Sequence, residues 1–377
     1  MILSETQAMI QETARNFAIA ELAPEAALRD QQEIYPLDLI KRMRDLGFLG
    51  MVVPEELGGS SADAVSLCVA IEEIGAADAT CAVMLSAYNS LFVGNLVTFG
   101  SQFLQEKYLP GLMSGETVCS FALSEPEVGS NAAAIRSRAE LDGDTYVING
   151  AKQFITAGAV ADLAFVFAVT APGAGHRGIS CFLVHSNSPG FVVAKTENKL
   201  GIRSSKTAQL IFDNVKVPKD HMVGEPGQGY KIAMTVLGSS RMGVAAQAVG
   251  IAQGAYDVAL SYAKERESFG KPIIGHQAVG FRLADMATSI EAARHLVYHA
   301  ASLKDAGQPY TKVASMAKIF SSEMAERVCS SAIQTLGGYG YLSDFPVEQY
   351  YRDARVCQIY EGTNDILRLV IRSIISE

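Results

Sequence analysis

The hydrophobic period of this chain changes twice, and that change limits what it can fold into. From Leu3 to about Gly115 apolar residues recur at helical spacing. From about Glu116 to Val223 they fall in short β-branched and aromatic runs broken by Asp-Gly and Asn-Gly, which are turn signals. From about Gln228 the helical spacing returns. Helices, then strands, then helices predict an α+β molecule with segregated segments. Three domains follow, at residues 1–115, 116–223 and 224–377. In the first, "PLDLIKRMRDLGFLGM" sets Leu37, Ile40, Met43 and Leu46 near one face and stops at Gly47. Ser4 and Gln7 fit a capping box for the opening helix. In the last, the run from Gly229 to Gly270 is Ala-rich and apolar on most faces, which suits the inside of a bundle or an oligomer interface.

A chain of 377 residues with 49% hydrophobic and 19% charged residues can bury a large core. Its net charge of −9 argues against nucleic acid as the main partner, without excluding an anionic ligand. The six cysteines, Cys68, Cys81, Cys119, Cys181, Cys329 and Cys357, form no C-x-x-C pair, so buried reduced thiols in a reducing compartment are expected. No signal or transit peptide precedes the first helix, and no uninterrupted apolar run suggests a membrane span. A cytoplasmic enzyme, or a processed mature chain, is the expectation.

Several short stretches can carry chemistry. In "IYEGTNDILR" Glu361 sits between an aromatic residue and a glycine. Partial dehydration beside Ile359 and Tyr360 would raise its pKa, as suits a base taking a proton from carbon. A solvated acid at a helix start reads the same. "FALSEPEVGSN", Phe121 to Asn131, offers backbone amides, Ser124 and Ser130 around a turn with Gly129. It can cup a polar ring edge or a pyrophosphate, or be an ordinary strand-to-loop junction. "KQFITAG" places Phe154 and Thr156 two residues apart, on one face if the strand is regular. That face suits a planar heterocycle or a plain core. "RESFGKPIIGHQAVGF" contains Arg266, Phe269 and Gln277 around a Gly-Lys-Pro break. The arginine can hold phosphate bidentately, or end a solvated helix. In "QTLGGYGY", Gly337 and Gly338 permit close backbone approach to a nucleotide or cap a helix.

No G-x-G-x-x-G follows a strand, so a Rossmann site is not indicated, and no G-x-S-x-G elbow occurs. "GIRSSKT" lacks the second glycine of a P-loop and reads as a turn. His295 and His299 are four apart without the acid of a zinc-protease motif, so surface or interface positions are expected.

In this order, "ELAPEAALRD", "VPEELGGS", "FALSEPEVGSN", "YVINGAKQFITAG", "FDNVKVP", "RESFG", "HQAVGF", "QTLGGYGY" and "PVEQYYRDARVCQIYEGTNDILR" resemble the acyl-CoA dehydrogenase family over essentially the whole chain. The resemblance implies a helical N-terminal domain, a middle β-domain and a C-terminal four-helix bundle. It also implies FAD, a homotetramer, and an electron-transfer flavoprotein as electron acceptor. Glu361 matches the base that removes the α-proton of an acyl-CoA thioester while the β-hydrogen leaves as hydride to the flavin. The thioester oxygen then bonds to the backbone N–H of that base, Gly362 allows close approach, and Tyr360 shapes the acyl cavity. Phe121, Leu123, Ser124, Gly129 and Ser130 match flavin contacts, and Ser130 also meets the CoA portion. Phe154, where many relatives have Trp, and Thr156 match the stacking aromatic and the hydroxyl near the ring. Arg266, Phe269, Gln277, Gln334, Gly337 and Gly338 match contacts to the adenine nucleotide half, several across a subunit interface. Thr363 and Asp365 match residues near the pyrophosphate and adenosine. Arg241 matches an arginine of the substrate-binding helix.

The chain departs from the pattern at Gly238, where an acid is common, and at Glu127 and Asn131 in the flavin loop. Some relatives carry their base on the helix near Arg241, where this chain has Ser240. "SAYNSLFVGN" is expected to line the acyl pocket, with bulky Tyr88 and Phe92 disfavouring long chains; a short, branched or alicyclic acyl group follows. An enoyl-CoA reductase or cyclic acyl-CoA dehydrogenase on the same fold is the alternative, and a non-catalytic helical binding protein is the alternative of another class.

Overall fold

The first helix begins where its cap places it. In the computed structural model, which describes residues 2–376, α1 (Glu5–Phe17) opens with the Ser4 side chain accepting from Gln7 N while Gln7 Oε1 accepts from Ser4 N. α2 (Ala26–Gln32) and α3 (Leu37–Asp45) follow, the latter burying Ile40 and Met43 and ending before Gly47, which adopts a left-handed φ of 75°. α4 (Ala64–Gly75) and α5 (Ala79–Ala87) start at Asp63 and Asp78, whose carboxylates accept from Ser66 N and Cys81 N. A π-helical turn, Tyr88–Phe92, joins α5 to α6 (Val93–Phe99), and α7 (Gln102–Met113) closes the region. The run Ala79–Phe99 is long and apolar enough to cross a membrane, but 72% of its apolar window is buried within the protein. Its apolar surface is already covered, so it is a core helix.

The middle segment forms β1 (Cys119–Ala122), β2 (Arg138–Asp142), β3 (Thr145–Ile155), β4 (Leu163–Val169), β5 (Ile179–His185), β6 (Phe191–Thr196), β7 (Ala208–Pro218) and β8 (Met222–Val223). They pair in the order β6-β7-β3-β2-β4-β5-β8, with β1 parallel to β4. Strand alternation gives β4 two partners. Leu163, Phe165 and Phe167 face the helical core, while Ala164, Val166 and Ala168 join Ile148, Phe182, Leu210 and Phe212 in a second core. A strand buried on both faces reads as a continuous apolar run, as "LAFVFAV" does. Gly143 turns β2 into β3, as the Asp-Gly signal predicts. Asn149-Gly150 does not turn the chain. It lies within β3, where the register against β7 shifts between Ile148 and Gly150. A β-carbon on Gly150 would stand 2.3 Å from Ser137 Oγ, so the glycine serves a close approach.

The last segment is α8 (Gly229–Glu265), a short hairpin of β9 (Glu267–Ser268) and β10 (Lys271–Pro272), α9 (Gln277–Asp305), α10 (Thr311–Leu336), α11 (Val347–Ala354) and α12 (Asn364–Ile375). α10 packs on α8, α9 and α12, and α8 also packs on α4 and α5. Buried Glu72 of α4 ties that helix to α9, accepting from Arg294 Nε at 2.7 Å and Tyr298 OH at 2.9 Å. All six cysteines are buried free thiols, and burial pushes Cys68 and Cys357 up to about 12.

Candidate active site

Glu361 lies in the connection between α11 and α12. Glu361 and Gly362 both take left-handed backbone, with φ of 56° and 90°. Gly362 accepts this freely, whereas for Glu361 it costs roughly 1–2 kcal/mol. Contacts from three helices hold the turn. The Tyr360 hydroxyl donates to Gln247 Oε1 of α8, and the Gln247 amide donates to Ala79 O at 2.9 Å. Lys318 of α10 donates from Nζ to Gly362 O at 2.9 Å and to Asn364 Oδ1 at 3.0 Å. Thr363 caps α12, its hydroxyl oxygen accepting from Ile366 N at 3.3 Å.

The structure does not leave Glu361 a freely hydrated acid. The residue is half-buried, and its carboxylate accepts from the Ser240 hydroxyl of α8. Burial pushes its pKa above the ordinary carboxylate range; the Ser240 hydrogen bond and the charges of Arg241 and Lys318 oppose that shift. Arg241 is buried, and its Nε has no partner among the described residues. Gly238 leaves open space, since a β-carbon there would meet nothing within 4 Å.

Ser240 also lines a cavity of about 230 Å³, together with Ser239, Met242 and Gly243 of α8 and with Leu67, Lys304 and Tyr310. From "SAYNSLFVGN", Ser86, Asn89, Ser90 and Gly94 reach it, which are helical neighbours on one face. Tyr88 and Phe92 do not. They point to another face of the same helical run, 0% and 1% exposed, with ring centroids 5.3 Å apart. Their bulk therefore does not set the cavity's depth. Tyr360 also lies outside the cavity lining, its hydroxyl tied to Gln247.

The flavin-type residues on the middle sheet come together. Phe121 and Leu123 lead from β1 into the loop of Ser124, and Ser124 O accepts from Gln153 N at 2.9 Å. A buried pair fastens the two stretches from below. Lys152 Nζ donates to Leu123 O at 3.0 Å and to Glu125 Oε1 at 2.8 Å; Glu125 also accepts from Arg136 N and Ser137 N. Burial pushes Lys152 down to about 8. Phe154, two residues after Lys152, is 68% exposed with φ of 60°. Thr156 lies beyond the end of β3, and the ladder with β7 jumps between Lys152 and Ile155. Strand alternation therefore does not relate Phe154 to Thr156; an irregular strand end does. Gly129 and Ser130 are exposed at the loop's rim, and Glu127 pairs there with Arg136. Asn131 stands at the start of a short 3₁₀ turn without a side-chain cap bond.

A second cleft, of about 380 Å³, joins Arg266, Gly337 and Gly338 with Tyr262, Thr335 and Tyr339. The Arg266 guanidinium lies 5.8 Å from the Tyr339 ring centroid. Phe269, Gln277 and Gln334 are exposed and lie outside this lining; Phe269 is 95% exposed. Asp365 is exposed beside Arg368, 3.4 Å away. No cluster of metal-ligating residues occurs among the described residues.

Three family models match along the chain: the acyl-CoA dehydrogenase N-terminal domain over residues 4–116, the middle domain over 120–215 and the C-terminal domain over 227–375. The chain belongs to the acyl-CoA dehydrogenase family. It is 47% identical over 369 residues to the mitochondrial short-chain specific acyl-CoA dehydrogenase of Homo sapiens, covering 98% of this chain and 90% of that protein. Butyryl-CoA dehydrogenase from Megasphaera elsdenii superposes with a TM-score of 0.97 at 42% identity, covering all of both chains. A chain in the structure of the electron transferring flavoprotein of Acidaminococcus fermentans gives a TM-score of 0.97 at 46% identity, covering 100% of this chain and 99% of that one. As an acyl-CoA dehydrogenase, the chain is an FAD-dependent oxidoreductase, which removes the non-catalytic alternative.

The residues present fit that cofactor. An exposed aromatic plate in strained backbone suits a planar ring, and the guanidinium and glycines of the second cleft suit a nucleotide. The sequence motifs do not reveal Gln247, Lys318 or the Glu125–Lys152 pair, and show Ser240 only as a missing carboxylate. The available signal is an ionisable residue on a helix face otherwise made of small uncharged residues, as Lys318 is in "ASMAKIFSS".

Proposed function

We propose that this chain converts a short acyl-CoA thioester to its trans-2-enoyl-CoA, with Glu361 as the catalytic base. The observation that carries this is the Glu361 carboxylate, partly dehydrated and hydrogen-bonded by a serine that also lines the short cavity. The carboxylate takes the α-proton and becomes a carboxylic acid. FAD, when bound, supplies the acceptor for the hydride leaving the β-carbon. Charge that develops on the thioester oxygen needs a fixed donor. The backbone N–H of Glu361 has no acceptor among the described residues, and the left-handed turn holds it in place.

The cavity volume supports a short acyl group, since it falls below the roughly 300–1,000 Å³ of sites for drug-sized ligands. Branched and alicyclic tails are the variants to compare with butyryl. Arg241 and Ser130 would meet the CoA portion. Phe121, Leu123, Ser124, Gly129, Ser130, Phe154, Thr156, Thr363 and Asp365 would hold the flavin side of FAD. Arg266, Phe269, Gln277, Gln334, Gly337 and Gly338 would hold its nucleotide side, partly from another subunit of a homotetramer. An electron-transfer flavoprotein would take the electrons, consistent with the name carried by one structural neighbour.

Anaerobic titration of the purified flavoprotein with acyl-CoAs of varied length and branching tests this. Bleaching of the visible flavin band by butyryl-CoA or a close variant is expected. Absence of bleaching with every acyl-CoA would reject the reading. Faster reoxidation of reduced enzyme by an enoyl-CoA than by oxygen would assign the reductase direction instead.

A further inference from the structure

Lys318 is 0% exposed and sits on an α10 face made of Ala314, Ala317, Ser321, Ser322 and Ala325. It forms no ion pair among the described residues. A buried amine without a counter-ion is costly, and burial pushes this one down to about 8. A site that needed only volume would be filled better by Leu or Met. Its donors instead go to the start of α12, to Gly362 O and Asn364 Oδ1. Asn364 continues the attachment, donating from Nδ2 to Ser322 Oγ at 3.1 Å and to Glu323 Oε1 at 3.2 Å. One face of α10 therefore grips the peptide that directly follows the Glu361–Gly362 turn.

We propose that Lys318 is a positioning residue for Glu361, fixing the left-handed turn through the carbonyl of Gly362 so that the Glu361 carboxylate and amide face the substrate together. The inference rests on the dehydrogenase reading above. Its geometry is mechanical as well as electrostatic. Glu361 cannot relax to an ordinary right-handed backbone without moving Gly362 O away from the buried amine. That amine also favours the ionised carboxylate, alongside Arg241 of α8 and against burial. The other titratable groups near it are Cys357 and Glu323.

The test compares wild-type holoenzyme with Lys318→Met and Lys318→Arg. Wild type must first bleach with an acyl-CoA; if it does not, the dehydrogenase reading fails, whatever Lys318 does. Given bleaching, Lys318→Met should lower kcat by about 10²-fold, the loss associated with a misplaced reacting group. KM and calorimetric affinity for the enoyl-CoA should change little. The acid limb of the kcat–pH profile should move to higher pH, and Lys318→Arg should recover part of both effects. An unchanged kcat and acid limb would overturn the proposal. A loss tracking only flavin content and thermal midpoint, with the acid limb of residual activity unmoved, would overturn it too. If Lys318→Met does not fold, Asn364→Ala loosens the same grip with Lys318 retained. It should also lower kcat at unchanged flavin content and thermal midpoint, with the acid limb in place because the ammonium remains, and an unchanged kcat there would equally reject the idea.

Discussion

A glutamate in left-handed backbone is an unfavourable choice for a turn, and a glycine, asparagine or aspartate would fold there at lower cost. That Glu361 stands in this conformation, with its carboxylate on Ser240, points to chemistry rather than to turn formation. Glu361→Gln keeps the volume and a hydrogen-bonding side chain but cannot accept the α-proton. Acyl-CoA affinity should be retained by calorimetry while flavin bleaching slows at least about 10²–10⁴-fold in stopped flow. The pH dependence follows from the same environment. As the proposed base, Glu361 acts only when ionised, and burial raises its pKa, so kcat/KM should rise with pH through a midpoint above the ordinary carboxylate range. Ser240→Ala removes a bond to the ionised form and should move that midpoint further up, leaving the high-pH plateau in place. A profile that stays put in Ser240→Ala would show that the hydroxyl does not bear on the base.

At the scale of elements, the site depends on joints between helices that are distant in sequence. α11 carries Asp353, whose Oδ1 accepts from Ile202 N at 2.6 Å in the loop before β7. Burial pushes this carboxyl up to about 7, from an ordinary value of 3.8. Between those two pH values the folded chain holds a proton that the unfolded chain has lost, so this group makes stability fall as pH rises across that window. Asp353→Asn can still accept from Ile202 N and does not ionise. Denaturant titrations from pH 4 to 8 should show the variant gaining on wild type as pH rises, by at most about 4 kcal/mol. Parallel curves would show that Asp353 does not titrate in this range. The start of α12 offers a simpler case. Thr363→Ala removes the cap on Ile366 N and should cost about 1 kcal/mol, read as a lower denaturation midpoint.

On the whole molecule, one chain leaves several large aromatic residues of the C-terminal segment uncovered: Phe269 at 95% exposure, Phe281 at 63% and Tyr341 at 86%. In the proposed homotetramer Phe269 would meet another subunit and the nucleotide half of FAD. Phe269→Asp should therefore sediment as a smaller species and retain less flavin; a variant unchanged in both would remove Phe269 from that role. The α+β class and the order of its segments were legible in the sequence, because apolar periods of helix and strand persist whatever surrounds them. The capping box at Ser4 and Gln7 and the stop at Gly47 are equally local, so they too could be read directly. The residue types of the proposed flavin loops and of Glu361 also lie in contiguous motifs and are visible in the sequence. Contacts between distant segments could not be read this way. Asn149-Gly150 has a turn's composition but became a bulge because β7 pairs on both sides of it. Tyr88 and Phe92 have the bulk of pocket walls but face the core, because the helical run from α5 into α6 turns Ser86, Asn89, Ser90 and Gly94 towards the cavity. The sequence by itself determined which groups are available and which periods they follow. Only the tertiary structure decided that Ser240, Lys318 and Gln247, from two helices far along the chain from one another, would converge on one carboxylate's turn, because hydrogen bonds and burial act through space and leave no periodic trace in the chain.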